Sequence, residues 1–190
     1  LLLDFRGRRG MKVGTKIEAE GVEIKDLAEL FDIDTKPYGS PDGKLFGRVA
    51  IDYQTAPKSL RVNADLVHED MTIFGERFGP DAIKINWDGG QLAVNQFNLT
   101  KGKGTISITG ALREDKSLAF IGVATDIDTT TIDNPEIKKL GIATTGDIFA
   151  VVEGTLDHPT GYADISLGNL VHRNVRYGSS TLKLVLDGNL

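Results

Sequence analysis

Lys101–Leu112 reads KGKGTISITGAL, and its second half alternates: Ile106, Ile108, Gly110 and Leu112 fall on one parity, Ser107, Thr109 and Ala111 on the other. Successive side chains of a strand point to opposite faces, so this is the pattern of a strand with one apolar face, entered through a glycine-spaced turn. The reading recurs along the chain. Val49, Ile51 and Tyr53 alternate with Arg48, Ala50 and Asp52, and Leu60, Val62, Ala64 and Leu66 with Arg61, Asn63 and Asp65. Ile83, Ile85 and Trp87 are separated by Lys84 and Asn86; Ala163, Ile165 and Leu167, then Leu182, Leu184 and Leu186, repeat the pattern with Asp164, Ser166 and Lys183 on the other parity.

Turn chemistry separates these runs: Pro41-Asp42-Gly43, Asp88-Gly89-Gly90, Thr100 to Gly104, Arg113 to Lys116, and Asp187-Gly188-Asn189. Gly, Asn and Asp tolerate the backbone angles of tight reversals, and short reversals make neighbouring strands antiparallel. Helical spacing is confined to Ile24–Phe31, with Ile24, Leu27, Ala28 and Phe31 at i, i+3, i+4 and i+7, and to a poorer candidate at Pro135–Leu140. The expected fold is therefore all-β and antiparallel with one or two short helices. Pattern alone leaves a closed two-sheet sandwich open, because its two inner faces also read apolar at every second residue.

The chain also repeats itself. Leu66-Val67-His68, then Gly75, then Asp88-Gly89-Gly90-Gln91-Leu92 is echoed by Leu170-Val171-His172, Gly178 and Asp187-Gly188-Asn189-Leu190. A weaker echo sets Arg8–Gly14 against Lys101–Gly110. The offset is about 100 residues, the mark of an array whose units stack on one another. It divides the chain into a first repeat over residues 1–110 and a second, truncated one over 111–190. Leu1–Phe5 followed by Arg6, Arg8 and Arg9 is the reverse of a signal peptide and reads as a cut end.

Composition narrows the function classes. With 22 basic against 27 acidic residues and mixed signs, the chain lacks the cationic excess that neutralises phosphates, so nucleic acid is not an expected partner. No cysteine is present, which removes disulfides, thiolate metal sites and cysteine nucleophiles. The histidines, His68, His158 and His172, have no ligand spacing, and two of them occupy equivalent repeat positions, which points to structure. Gly39–Lys44 (GSPDGK) is one residue short of a phosphate loop and is followed by Leu45 where Ser or Thr would reach magnesium. Asp126-Ile127-Asp128 opens like a calcium loop but places Thr131 and Ile137 where Gly and Glu belong. Asn98-Leu99-Thr100 meets the glycosylation sequon, which matters only on a eukaryotic secretory route. No serine sits in a nucleophile elbow. Neither an enzyme, a metal nor a cofactor is expected.

Gly146–Leu190 (GDIFAVVEGTLDHPTGYADISLGNLVHRNVRYGSSTLKLVLDGNL) resembles the periplasmic TamB and AsmA-like proteins: an apolar strand, then Glu153-Gly154-Thr155-Leu156-Asp157 with Pro159, then a strand ending at Leu170, then another with an Asp-Gly turn. Leu99–Leu112 resembles a second recurring phrase of that family, a glycine-rich turn feeding a strand. The likeness covers most of residues 40–190. It implies an elongated U-shaped sheet, a β-taco, with an apolar interior that carries phospholipid acyl chains between inner and outer membranes. It further implies a periplasmic location, an inner-membrane anchor outside this chain, neighbouring repeats as partners, and an outer-membrane β-barrel as a possible one. An alternative role in the same setting is assembly of outer-membrane proteins by β-augmentation.

The positions expected to line such a groove are Val49, Ile51, Leu60, Val62, Leu66, Ile83, Ile85, Trp87, Ile106, Ile108, Ile121, Val123, Ile148, Val152, Ile165, Leu167, Leu182, Leu184 and Leu186. Acyl chains need only apolar area, worth roughly 0.8 kcal/mol per buried methylene.

Overall fold

A computed structural model describes residues 2–4, 11–30, 35–36, 39–55 and 57–188. The basic run Arg6, Arg8 and Arg9, the helix end at Phe31, and Asn189 and Leu190 lie outside them. The strands are β1 (Leu2–Asp4), β2 (Lys12–Glu23), β3 (Asp42–Thr55), β4 (Lys58–Ile73), β5 (Glu76–Arg77), β6 (Asp81–Asp88), β7 (Gln91–Lys101), β8 (Gly104–Leu112), β9 (Ser117–Asp128), β10 (Ile142–Thr155), β11 (Pro159–His172) and β12 (Val175–Asp187). Helix α1 (Ile24–Leu30) follows β2 and α2 (Pro135–Lys139) precedes β10, where the spacing placed them. The stretch Pro41-Asp42-Gly43, expected as a turn, instead leads into β3, which begins at Asp42.

All the described strands belong to one antiparallel sheet in the order β1-β2-β3-β4-β6-β7-β8-β9-β10-β11-β12, with β5 pairing β4 to one side. Apart from β6, which pairs β4 past the short β5, each strand pairs with the one before it in sequence, so the connections are local reversals. The sandwich that alternation also permitted is not formed. Among the described residues β1 and β12 pair with nothing beyond them, and the sheet is open. The division expected at residues 110 and 111 falls inside β8, whose ladder to β9 runs unbroken from Thr105↔Thr125 to Leu112↔Leu118.

The two rims of the sheet differ. One carries the short reversals at 89–90, 113–116 and 156–158 and the step from β3 to β4. The other carries the two-residue reversals at 102–103 and 173–174 and the three long connections: 24–41 with α1, 74–80 with β5, and 129–141 with a 3-10 turn at Thr129–Thr131 and α2. Beneath this second rim the inner face is driest. Leu45, Met71, Ile83 and Leu99 are buried together, with Ile24, Ile73 and Phe78 packed against them.

An ion-pair cluster ties the long connections together. The Glu76 carboxylate accepts the backbone N–H of Asp133 at 2.8 Å and that of Asn134, and Lys101 Nζ lies 3.0 Å from Glu76 and 2.7 Å from Asp133. Burial pushes the Glu76 carboxyl up, but the Asp133 and Asn134 N–H groups and the Lys101 ammonium outweigh it and hold it below the usual carboxylate range. Burial likewise works against the charge of Lys101, and its two carboxylate partners overcome it and raise the ammonium's pKa. Asp128, the third position of the calcium-like motif, caps the 3-10 turn by accepting the Thr130 N–H at 2.8 Å.

Two inner-face glycines are required by close approach. A Cβ built on Gly47 would stand 2.3 Å from the Asp65 carbonyl oxygen of the next strand, and one on Gly161 2.1 Å from that of Val151. The neighbouring strand comes too close at both positions for any side chain.

Candidate functional site

Directly opposed residues of an antiparallel ladder share a face. Following the registers from strand to strand therefore sorts every side chain of the sheet. One inner-face row runs Ala19–Gly47–Leu66–Ile83–Phe97–Ile108–Gly122–Ala150–Ala163–Leu184. The next runs Ile17–Val49–Ala64–Ile85–Val94–Gly110–Phe120–Val152–Gly161–Leu186. Both cross ten strands, from β2 to β12, without a polar side chain. A third, Thr15–Ile51–Val62–Trp87–Leu92–Leu112–Leu118–Gly154–Pro159, has a single hydroxyl at its end. At ~4.8 Å between strands each ten-residue row is about 43 Å long, more than the ~30 Å hydrocarbon core of a bilayer.

Seventeen of the nineteen residues expected to line a groove lie on this inner face. Eleven are in the rows above. Leu60 continues it beside Tyr53, Leu167 beside Gly146, and Ile106, Ile148, Ile165 and Leu182 belong to a fourth row through Ala124; of the eleven, Trp87, Ile51 and Val62 sit nearest the tight-turn rim. Ile121 and Val123 do not belong. Ile121 stands opposite Thr109 and Val151, and Val123 opposite Ser107 and Phe149, on the outer face. β9 reads SLAFIGVATDID and is apolar on both parities, so its alternation does not say which set turns inward; the ladder assigns Leu118, Phe120, Gly122 and Ala124.

The lining graduates along the sheet. Ile83 is 5% exposed, while Ile17 near one edge is 49% and Leu184 near the other 58%. Over β9–β11 the first row is small, Gly122, Ala150 and Ala163, and with Gly161 beside it a hollow of about 180 Å³ opens there against Val152, Leu184 and Leu186. Over β4–β8 bulky Leu66, Ile83, Phe97 and Ile108 fill the corresponding positions.

Apart from the hydroxyls of Thr15 and Tyr53 near the tight-turn rim, polar groups on the inner face gather towards the rim of long connections. His68 is fully buried, opposite Leu45 and Asp81. Its Nε2 lies 2.9 Å from the Asn98 carbonyl oxygen and donates to it, and its buried Nδ1 has no protein hydrogen-bond partner among the described residues. Asp81 accepts the Ala82 N–H at 2.7 Å and the Thr100 hydroxyl at 2.8 Å. Burial pushes its carboxyl up, and these bonds more than reverse the effect, lowering its pKa. His172, the repeat-equivalent histidine, stands opposite Ile142 and Val175 and is not fully buried. Among the described residues no three His, Asp or Glu side chains gather as metal ligands.

The outer face of β2–β7 is polar and internally paired. Arg48 lies 3.5 Å from Glu18, Arg61 3.0 Å from Asp88, and Asn63, Asn86 and Asn95 form a hydrogen-bonded ladder at 2.8 and 2.7 Å. A scan against protein-family models, a search of curated proteins and a search of solved structures each found no match.

Proposed function

We propose that the inner face is a conduit for the acyl chains of phospholipid, and that the chain is a segment of a longer TamB- or AsmA-like bridge across a periplasm. The observation that carries this reading is the pair of ten-strand rows with no polar side chain. A protein core needs apolar positions where elements pack; it does not need them in unbroken files running the length of an open sheet. Files of Leu, Ile, Val, Ala and Gly offer an acyl chain apolar area and no directional contact. Each methylene gains roughly 0.8 kcal/mol from leaving water wherever along the row it lies, so displacement changes the energy little. Such work requires neither a catalytic residue nor a cofactor. By the same reading, neighbouring repeats extend the rows at β1 and β12, and an anchor in the inner membrane lies outside this chain.

Transfer of a fluorescent phospholipid between donor and acceptor vesicles tests the proposal. Wild-type protein is expected to bind the lipid and Ile108→Asp to lose it, because a carboxylate in an apolar row must stay hydrated or become neutral. No binding by folded wild-type protein would overturn it.

One observation favours a second role. β12 is an unpaired edge of thirteen residues, exposed along most of its length, and such an edge accepts another strand by main-chain hydrogen bonds. Holding a client strand of an outer-membrane protein there is the alternative function.

A further inference from the structure

The two residues that the ladder moves to the outer face are part of a larger patch. Across β8–β12 the outer row reads Thr109–Ile121–Val151–Tyr162–Val185, and beside it lies Ser107–Val123–Phe149–Asp164–Lys183. Val185 is 72% exposed, Ile121 46%, and Val123 and Phe149 40% each. The Phe149 and Tyr162 rings, 6.1 Å apart, and Lys183 Nζ, 4.9 Å from the Tyr162 centroid, hold the centre in order. Scattered apolar side chains are ordinary on a surface, but a contiguous group rimmed by charge marks a contact.

The rim says what kind of contact. Asp147 and Ser166 flank the apolar rows on one side, and Glu153, Thr160 and Asp187 on the other. The only cation in this grid, Lys183, is already answered by Asp164 at 3.8 Å. Glu153, and Asp147, which also accepts the Asp126 N–H at 2.9 Å, therefore border the patch with negative charge on its two sides. A second copy of the same face would bring carboxylates against carboxylates, and an anionic membrane surface would be repelled in the same way.

We propose that the outer face of β9–β12 docks an amphipathic segment of a partner protein, whose apolar side chains cover Ile121, Val151, Tyr162 and Val185 and whose flanking lysines or arginines meet Asp147 and Glu153. The site is on the opposite side of the sheet from the proposed conduit and does not depend on it.

A fluorescently labelled helical peptide with leucines on one face and lysines on the other is the probe, titrated with the full chain. Wild-type protein binds it, increasingly weakly as salt is added. Val185→Ser with Tyr162→Ser weakens binding by about tenfold or more, while Leu184→Ser, on the inner face of the same strand, leaves it unchanged. Glu153→Lys, at an exposed position where folding is not at stake, weakens the lysine peptide and strengthens a matching glutamate peptide. The proposal is overturned if wild-type protein holds the glutamate peptide as tightly, if Glu153→Lys has no effect, or if only Leu184→Ser reduces binding. It is equally overturned if the outer-face variants abolish a dimer in sedimentation or attachment to anionic vesicles in place of peptide binding.

Discussion

Val123 stands directly opposite Ser107 in the β8–β9 ladder, so it shares a face with that hydroxyl and turns away from Ile108, its apolar neighbour in space. An apolar residue in an alternating strand is not thereby an inward one. The consequence is testable at single positions.

Aspartate at Ile108 is expected to abolish phospholipid binding, whereas aspartate at Val123, 40% exposed on the outer face, leaves both folding and lipid binding intact. Circular dichroism and vesicle transfer on the two variants check this. Equal loss in both would mean that the two faces are not functionally distinct.

Gly47 has φ of 136°, a conformation that side chains rarely adopt, and its missing Cβ faces the Asp65 carbonyl at 2.3 Å. Gly47→Ala is expected to cost about 2–4 kcal/mol through strain and separation of β3 from β4. Urea unfolding measures the loss; a change below about 0.5 kcal/mol would show that the strands relax freely at this position.

The Lys101–Glu76–Asp133 cluster makes stability depend on pH at both extremes. Glu76 and Asp133 have carboxyl pKa values lowered by folding, Glu76 against its burial and Asp133 by its bond to Lys101. Their contribution is therefore full above the ordinary carboxylate range and lost as pH falls through the lowered values. Lys101 has a raised pKa, so its contribution is full below its ordinary value and lost as pH rises through the raised one. Glu76→Gln is expected to lower stability near neutral pH by about 1–2 kcal/mol and to flatten the acid limb. Thermal melts across pH give both quantities, and an unchanged acid limb would assign it to other carboxylates.

The open edge predicts self-association. β12 presents unpaired backbone beside Tyr177, which is 58% exposed. Association that rises with concentration is expected in sedimentation and should weaken in Tyr177→Lys, since a charged edge resists strand addition. Strictly monomeric behaviour at high concentration would mean that the edge is protected.

Much of this fold was legible because its signals are local. Lys101–Leu112 carries its turn and its alternation within twelve residues, and each reversal pairs a strand with its neighbour in sequence. What was not legible depends on long-range register. β9 is apolar on both parities, so Ile121 and Val123 look identical to Phe120 and Ala124 until Thr109 and Ser107 are laid against them. In β7 an irregularity between Val94 and Phe97 lets residues three apart share the inner face, which breaks the alternation that would have marked Phe97 and Leu99 as lining. Glu76, Lys101 and Asp133 come from β5, the end of β7 and the connection between β9 and β10, and no spacing in the sequence announces that they meet.

Photo-crosslinking along one row tests the central claim most directly. With a photoreactive residue placed in turn at Leu66, Ile108, Ala163 and Leu184, and at Ser107, Val123 and Asp164 as outer-face controls, the protein is illuminated with phospholipid vesicles and the adducts are identified by mass spectrometry. Phospholipid adducts are expected at the four inner positions and none at the three outer ones. Labelling of both faces to the same extent, in protein shown to be folded, would contradict the claim.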